Sequence, residues 1–366
     1  MKIKASLAHM KPTSFCNFNC KHCGVVKTGK KVISFKKAKE FLIELKKNKI
    51  KNLIISGGGE PLVKFKRIVD IINLAKKYKI KVRLNTNGYF IAYKDPKSAV
   101  ERLSNLDSLT LSVDPYHLRF ISYSMIIKVI KTVLYSKINL RLCICFQEKD
   151  EHKCRLLIDK IAKDLNGKVL PLTGKMPYGF FNSYLILAKK IIFVSFYKCL
   201  EVTDNNKANI KINPIEIRKI IFRRCIDAVP ALHFDSSITC CPKFIPGNNR
   251  DIYLINNLKD NSNPLYNIQN NIFPFIKLFL KIKKDNKLFK SFSKQKYYEA
   301  CNFCLNIMKN RKHIEKIRSP GICDIVIFSI LNIKYFLIES FERILYFFTN
   351  WYIILIIKIL SILNRR

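Results

Sequence analysis

Three cysteines in the run C-N-F-N-C-K-H-C, Cys16, Cys20 and Cys23, constrain this chain more than any other stretch. The C-x3-C-x2-C spacing puts three thiols on one short segment near the start of the sequence, where they can reach three corners of a single iron-sulfur cube. A structural cluster takes four thiolates. A set of three leaves one iron open to a chelating small molecule, as a catalytic metal site keeps an open position that a structural site closes. A zinc knuckle using Cys20, Cys23 and His22 or Cys16 is the alternative, but zinc sites usually pair two close ligand couples within one small module.

The rest of the composition narrows the setting. A length of 366 residues gives a prior of about two domains, and 49% hydrophobic residues supply a sizeable core. Most of the 13 cysteines fall in clustered pairs and a triplet, behind an N-terminus that contains lysine and no secretory signal. That usage argues for a reducing cytoplasm and metal ligation over a disulfide framework. A formal charge of +41 admits nucleic acid or anionic membrane as a partner. The lysines are spread over nearly every expected helix, however, together with an excess of Ile and Asn. This is the pattern of solvated lysine faces more than of a nucleic-acid footprint.

From the N-terminus the chain reads as repeated strand-then-helix units. Strands are expected at 4–12, 51–56, 80–86, 108–113, 138–146 and 168–172. Helices are expected from Ser34 as a cap to about Asn48, and at 66–78, 96–106, 122–136 and 150–165, with a further one from Tyr184. Such alternation implies a parallel sheet whose strand-end loops gather on one face and carry the chemistry.

Three of those loops hold polar or glycine-rich runs. After the second strand comes S-G-G-G-E-P, Ser56 to Pro61, where glycines allow close backbone approach and Glu60 offers an acceptor for an ammonium group. T-N-G, Thr86 to Gly88, follows the third strand, and S-V-D-P-Y-H, Ser112 to His117, follows the fourth. Each alone reads equally as a turn. In this order, behind the cysteine triplet, they resemble the radical S-adenosylmethionine superfamily over roughly residues 5–180.

The resemblance implies an α/β fold, a partial (β/α)6 TIM-type barrel. It also implies a catalytic [4Fe-4S] cluster on Cys16, Cys20 and Cys23, with S-adenosylmethionine chelating the open iron. In that family Gly58, Gly59, Glu60 and Pro61 would hold the amino group of the methionine moiety, with Asn87 at the next loop. Ser112 and Asp114 would contact the ribose, and His117 would face the substrate as the catalytic proton acceptor. Two departures stand out. His22 occupies the place of a large aromatic residue, and the glycine motif often found on the fifth strand is absent from Ile138 to Gln147. No adenine contact is therefore assigned, and Gln147 is a candidate by position only.

The second half differs in kind. Residues 184–224 read as an apolar, basic connecting segment. Beyond it Cys225, Cys241 in the Leu232–Cys241 stretch, and the pair Cys301 and Cys304 bring four thiols from three places. These resemble the twitch subdomain, the shortened relative of the SPASM extension, with an auxiliary [4Fe-4S] cluster. Asp235, Ser236 and Cys241 match its D-G-x-x-x-x-C frame with serine in place of glycine. Cys240 is the alternative ligand, and a structural Zn(Cys)4 site the alternative centre.

The expected division is 1–183 for the core domain, 184–224 for the connection, 225–322 for the cysteine-rich subdomain and 323–366 for an apolar helical tail. Within that tail Ile344 to Leu363 is long enough to cross a bilayer, although Lys358 and the central Asn350 favour docking on the protein or lying in a membrane surface. Cys143 and Cys145, which alternate on the fifth strand, read as buried packing thiols. Cys154 and Cys199 read likewise.

The function expected from the resemblance is reductive cleavage of S-adenosylmethionine to a 5′-deoxyadenosyl radical that abstracts hydrogen from a sugar, an alcohol or a peptide. An electron donor such as flavodoxin or ferredoxin is implied. The alternatives are a radical enzyme acting on RNA, and a non-catalytic metal-binding or membrane-associated scaffold.

Overall fold

The computed structural model describes residues 6–23, 31–93, 95–146, 150–171, 181–188, 190–198, 231–239 and 254–257. The chain divides into two compact units, Met1–Ile272 with Ser291–Lys309, and Phe273–Lys290 with Asn310–Arg366; every described residue belongs to the first.

Its elements run β1 (Leu7–Met10), α1 (Phe35–Lys47), β2 (Asn52–Ile55), α2 (Phe65–Lys77), β3 (Lys81–Thr86), α3 (Tyr89–Ala92), α4 (Pro96–Arg102), β4 (Ser108–Ser112), α5 (Tyr123–Leu134), β5 (Asn139–Phe146), α6 (Glu151–Asp164), β6 (Lys168–Pro171), β7 (Phe181–Ile186), β8 (Ile191–Lys198), β9 (Ala231–Leu232), β10 (Ser237–Thr239) and β11 (Leu254–Asn257). The strands form one open sheet in the order β11-β10-β9-β1-β2-β3-β4-β5-β8-β7-β6. From β9 to β8 all neighbours are parallel. Antiparallel strands extend both edges.

Local sequence explains the helices. The Ser34 and Ser122 hydroxyls accept the backbone N–H of Lys37 and Met125, and the Asp95 carboxylate those of Lys97 and Ser98, which starts α1, α5 and α4. In α1 the buried residues Ala38, Phe41, Leu42 and Leu45 recur at helical spacing and form one apolar stripe. Fully burying a side chain such as Phe41 or Leu42 is worth about 1.5–3 kcal/mol.

Two expectations change here. No helix starts at Tyr184: residues 181–198 form the β7–β8 hairpin. The run I-I-F-V-S-F-Y-K is rich in β-branched and aromatic residues, and Ile192, Val194 and Phe196 are buried at period two, which is a strand pattern. The sixth parallel place, beside β5, therefore goes to β8, while β6 pairs antiparallel with β7 at the edge.

Alternation gives the parallel strands two unlike faces. One carries Ala8, Met10, Leu53, Ile55, Val82, Leu84, Leu109, Leu111, Leu142 and Ile144, all buried, and takes the apolar stripes of the crossover helices. The other carries His9, Arg83, Asn85, Thr110, Ser112, Arg141, Cys143 and Cys145. Cys143 and Cys145 are half-buried on this polar face, a correction to the reading of both as core thiols; Cys154, on α6, is buried as expected.

No helix among the described residues is long and apolar enough to cross a membrane. The segment 344–363 lies outside the described residues.

Candidate functional site

Because β1 to β4 are parallel, the segments that follow them emerge at one end of the sheet. The cysteine segment follows β1 and lies directly on the glycine loop after β2. Thr13 and Gly58 form a bridge, and the Glu60 N–H donates to the Phe15 carbonyl at 2.9 Å. Gly58 has a φ of 77°, and a Cβ there would lie 2.5 Å from the Thr13 carbonyl oxygen. A Cβ on Gly59 would collide with the Phe15 carbonyl. What approaches these two glycines is thus the backbone leading into Cys16.

Glu60 ties the next loop in. It is buried, and its carboxylate accepts the backbone N–H of Leu62 (3.0 Å), the Thr86 hydroxyl (2.7 Å) and the backbone N–H of Asn87 (2.9 Å). Burial pushes this carboxyl up from its ordinary value, against the pull of the Asn87, Thr86 and Leu62 donors. A carboxylate offers about four acceptor positions. With two donors on Oε1 and one on Oε2, one position remains on Oε2. Pro61 opens the short 3-10 turn that Glu60 caps.

Asn87 in turn donates from Nδ2 to Asn17 Oδ1 at 3.0 Å, inside the cysteine motif. Phe18, also inside it, is buried, stacks on Phe120 at 5.0 Å and meets the edge of Tyr89 at 5.8 Å. The His22 ring lies 4.6 Å from that of Tyr116 and 5.3 Å from that of His117. All three strand-end loops therefore hold the segment that carries Cys16, Cys20 and Cys23. None of the three is in a disulfide; the first two are half-buried and the third exposed.

After β4 the structure places Ser112 at the strand end, level with Cys143 of β5. Asp114 is buried. Its Oδ1 accepts the N–H of Tyr116 and of His117, each at 3.0 Å, and its Oδ2 meets His117 Nδ1 at 2.8 Å and the Cys145 N–H at 3.4 Å. Burial alone would raise this carboxyl, but the hydrogen bond and charge of His117 and the charge of His22 hold it below its ordinary value. The acceptor positions of Asp114 are committed to that turn, to the imidazole and to the Cys145 N–H. With Nδ1 on Asp114, Nε2 is the ring nitrogen of His117 left to bond another group.

The donor set fits a bound group at the cysteine segment. Asn17 Nδ2 and His22 Nδ1 are buried and meet no hydrogen-bond partner among the described residues, and both belong to the motif itself. Sequence reasoning had singled out the cysteines, Glu60, Asn87 and the Ser112–His117 run, which the structure brings together. It gave no separate part to Thr86 and Tyr116, which lie inside the quoted runs, and it missed the connectors Asn17, Phe18 and Phe120. Asn17 and Phe18 are visible as the two residues directly after Cys16; Phe120 carries no spacing signal.

The second cysteine set, Cys225, Cys241, Cys301 and Cys304 with the alternative Cys240, lies outside the described residues, as does Gln147. The turn that precedes Cys241 is described. β9 pairs parallel with β1, β10 returns antiparallel, and Ser236 between them has a φ of 69°. That left-handed backbone is the one glycine adopts most easily.

Residues 10–136 match the family model described as the Radical SAM superfamily, so the cysteine segment and the loops after β2, β3 and β4 carry the sequence pattern of that superfamily. "Putative peptide biosynthesis protein YydG" of Bacillus subtilis (strain 168) is 27% identical over 123 residues, 32% of this chain. The match spans 39% of that relative's length. The solved structure described as native anSMEcpe with bound AdoMet and Cp18Cys peptide has a TM-score of 0.52 at 15% identity, covering 85% of this chain and 96% of that one, a likeness of fold. BtrN in complex with AdoMet and 2-DOIA aligns at a TM-score of 0.42 and 12% identity, over 78% of this chain and 87% of that one.

Proposed function

We propose, from the premise of a radical SAM domain, that this chain is a radical SAM enzyme and that its substrate is a peptide. The observation that carries the first part is the convergence of the loops after β2, β3 and β4 on the cysteine segment, through the Glu60–Thr86–Asn87–Asn17 chain of hydrogen bonds. The peptide reading is supported by the peptide biosynthesis named in YydG and the peptide bound in the anSMEcpe structure.

In this reading the thiolates of Cys16, Cys20 and Cys23 hold a [4Fe-4S] cluster. When bound, that cluster and S-adenosylmethionine supply a 5′-deoxyadenosyl radical able to take hydrogen from an unactivated carbon. Glu60 Oε2 has one acceptor position for the methionine ammonium, and Gly58 and Gly59 keep the loop tight against the cysteine segment. Ser112 contacts the ribose. Asp114 orients His117, whose Nε2 accepts or returns a proton at the substrate side. Cys225, Cys241, Cys301 and Cys304 would hold an auxiliary [4Fe-4S] cluster, for which Ser236 in the glycine-like conformation is the supporting feature.

The test is anaerobic reconstitution of the full chain with iron and sulfide, then incubation with S-adenosylmethionine and dithionite. Methionine and 5′-deoxyadenosine are expected in equal amounts. Failure to form 5′-deoxyadenosine with a fully loaded protein would overturn the reading.

A further inference from the structure

The polar face of the sheet carries two arginines that the cofactor site does not use. Arg141 on β5 is level with Thr110 on β4, and Arg83 on β3 is level with Ser108. Ser112 marks the end of β4, so these levels lie about 7 and 13 Å below it at 3.3 Å per residue. The groups assigned to the cofactor, Glu60, Asn87 and Ser112, sit at the strand ends. The arginines occupy a separate layer beneath them.

Four observations describe this layer. The Arg141 guanidinium stacks over the Phe193 ring at 4.4 Å, which fixes its plane. Arg83 is half-buried, and burial together with the nearby Arg141 charge holds its guanidinium below its ordinary value; among the described residues no carboxylate pairs with it. His9, level with Arg83 through Ile54, is driven down to about 4 by burial, Lys11 and Arg83, so it stays neutral near pH 7 and adds no further positive charge. Arg83 Nε, Asn85 Oδ1, Ser108 Oγ and Thr110 Oγ1 are all buried and meet no hydrogen-bond partner among the described residues. An unsatisfied buried polar group costs roughly 1–3 kcal/mol. Four in one strip across β3 and β4 mark a surface shaped to meet something polar.

We infer that Arg83 and Arg141 form a carboxylate-binding subsite beneath the cofactor loops, which holds an acidic side chain or the terminal carboxylate of the substrate peptide. The inference rests on the peptide reading above. Two guanidiniums matched to one carboxylate give charge-assisted, fork-like hydrogen bonds that a neutral amide cannot replace. Anchoring the peptide there fixes which of its carbons reaches the strand-end layer.

Calorimetric titration of the reconstituted full chain, with S-adenosylmethionine present, tests this. Three probes are used: acetyl-Ala-Ala-Glu-Ala-Ala-amide, the same peptide with Gln for Glu, and the Gln peptide with a free C-terminal carboxylate. At least one carboxylate peptide should bind about tenfold more tightly than the neutral one, and which one does identifies the source of the carboxylate. R83Q/R141Q should abolish that preference and leave S-adenosylmethionine affinity within about twofold. This variant keeps all but two charges of the +41 excess, so general attraction of acidic peptides persists as an internal control. Arg141→Lys retains charge but not the fork, and should weaken binding about threefold; it also serves if the double variant fails to fold.

Equal binding of all three probes, or an unchanged preference in both variants, overturns the subsite. Loss of S-adenosylmethionine affinity in step with the preference also overturns it, by assigning the arginines to the cofactor. Formation of 5′-deoxyadenosine by the same wild-type preparation separates the two readings. Its presence without carboxylate preference sinks only the subsite, and its absence sinks the enzymatic reading.

Discussion

The two faces of one sheet have been given opposite tasks by alternate residues of the same strands. On β4, Leu109 and Leu111 are buried against the helices, while Ser108, Thr110 and Ser112 point the other way. On β5, Leu142 and Ile144 alternate with Arg141, Cys143 and Cys145. The apolar face supplies stability and asks only for volume and shape. The polar face keeps Arg83 Nε, Asn85 Oδ1, Ser108 Oγ and Thr110 Oγ1 buried with no partner among the described residues, which stability alone would disfavour. Keeping them is the mark of a surface selected for what it binds. The consequence is that stability and chemistry should be separable by mutation, one face at a time.

The largest effect should come from the rim of the polar face. Replacing Cys16, Cys20 or Cys23 by Ala should abolish 5′-deoxyadenosine formation, read by liquid chromatography, while the unfolding midpoint of the metal-free protein stays put. Next is Gly59→Ala. Its added methyl meets the Phe15 carbonyl and should displace the cysteine segment, cutting 5′-deoxyadenosine formation by about tenfold or more. An opposite result, full activity, would show that this loop contact is incidental.

On the apolar face, Leu142→Ala should lower stability by about 2–5 kcal/mol in denaturant unfolding and leave turnover per folded molecule unchanged. The smallest effect is one of pH. His9 is neutral in the fold down to about 4, whereas an unfolded histidine protonates from about 6.5. Its stabilising share is complete above that upper value and is lost as pH falls through the window to about 4. Between pH 6.5 and 5 the loss is about 2 kcal/mol. His9→Gln should flatten the stability profile there by a similar amount. An unaltered profile would place the acid sensitivity elsewhere, with His233, pushed down to about 3 by burial, the next residue to test.

Much of this arrangement can be read without coordinates. Caps at Ser34, Asp95 and Ser122 and stripes such as Ala38, Phe41, Leu42 and Leu45 carry the helices. The motifs at strand ends are legible because a parallel sheet gathers them whatever the detail. The helix expected from Tyr184 is replaced by strands because an apolar run gives the same signal for a buried helix and a strand until its partners are known. The hydrogen bonds of Asp114 to His117 and its own turn, and the arrival of Cys145 of β5 beside it, depend on tertiary packing that the sequence does not show. Likewise the charge of Arg83 and Arg141 is unremarkable in a chain with 67 Lys and Arg residues; only sheet register puts the two together.

The separation of the two faces is tested most directly by a paired measurement on Cys20→Ala and Leu142→Ala. For each, 5′-deoxyadenosine formed per folded molecule after anaerobic reconstitution is plotted against the unfolding midpoint of the metal-free protein. Cys20→Ala should lie at zero activity and wild-type midpoint, and Leu142→Ala at wild-type activity and a lowered midpoint. Activity in Cys20→Ala, or parallel loss of both quantities in both variants, would contradict it.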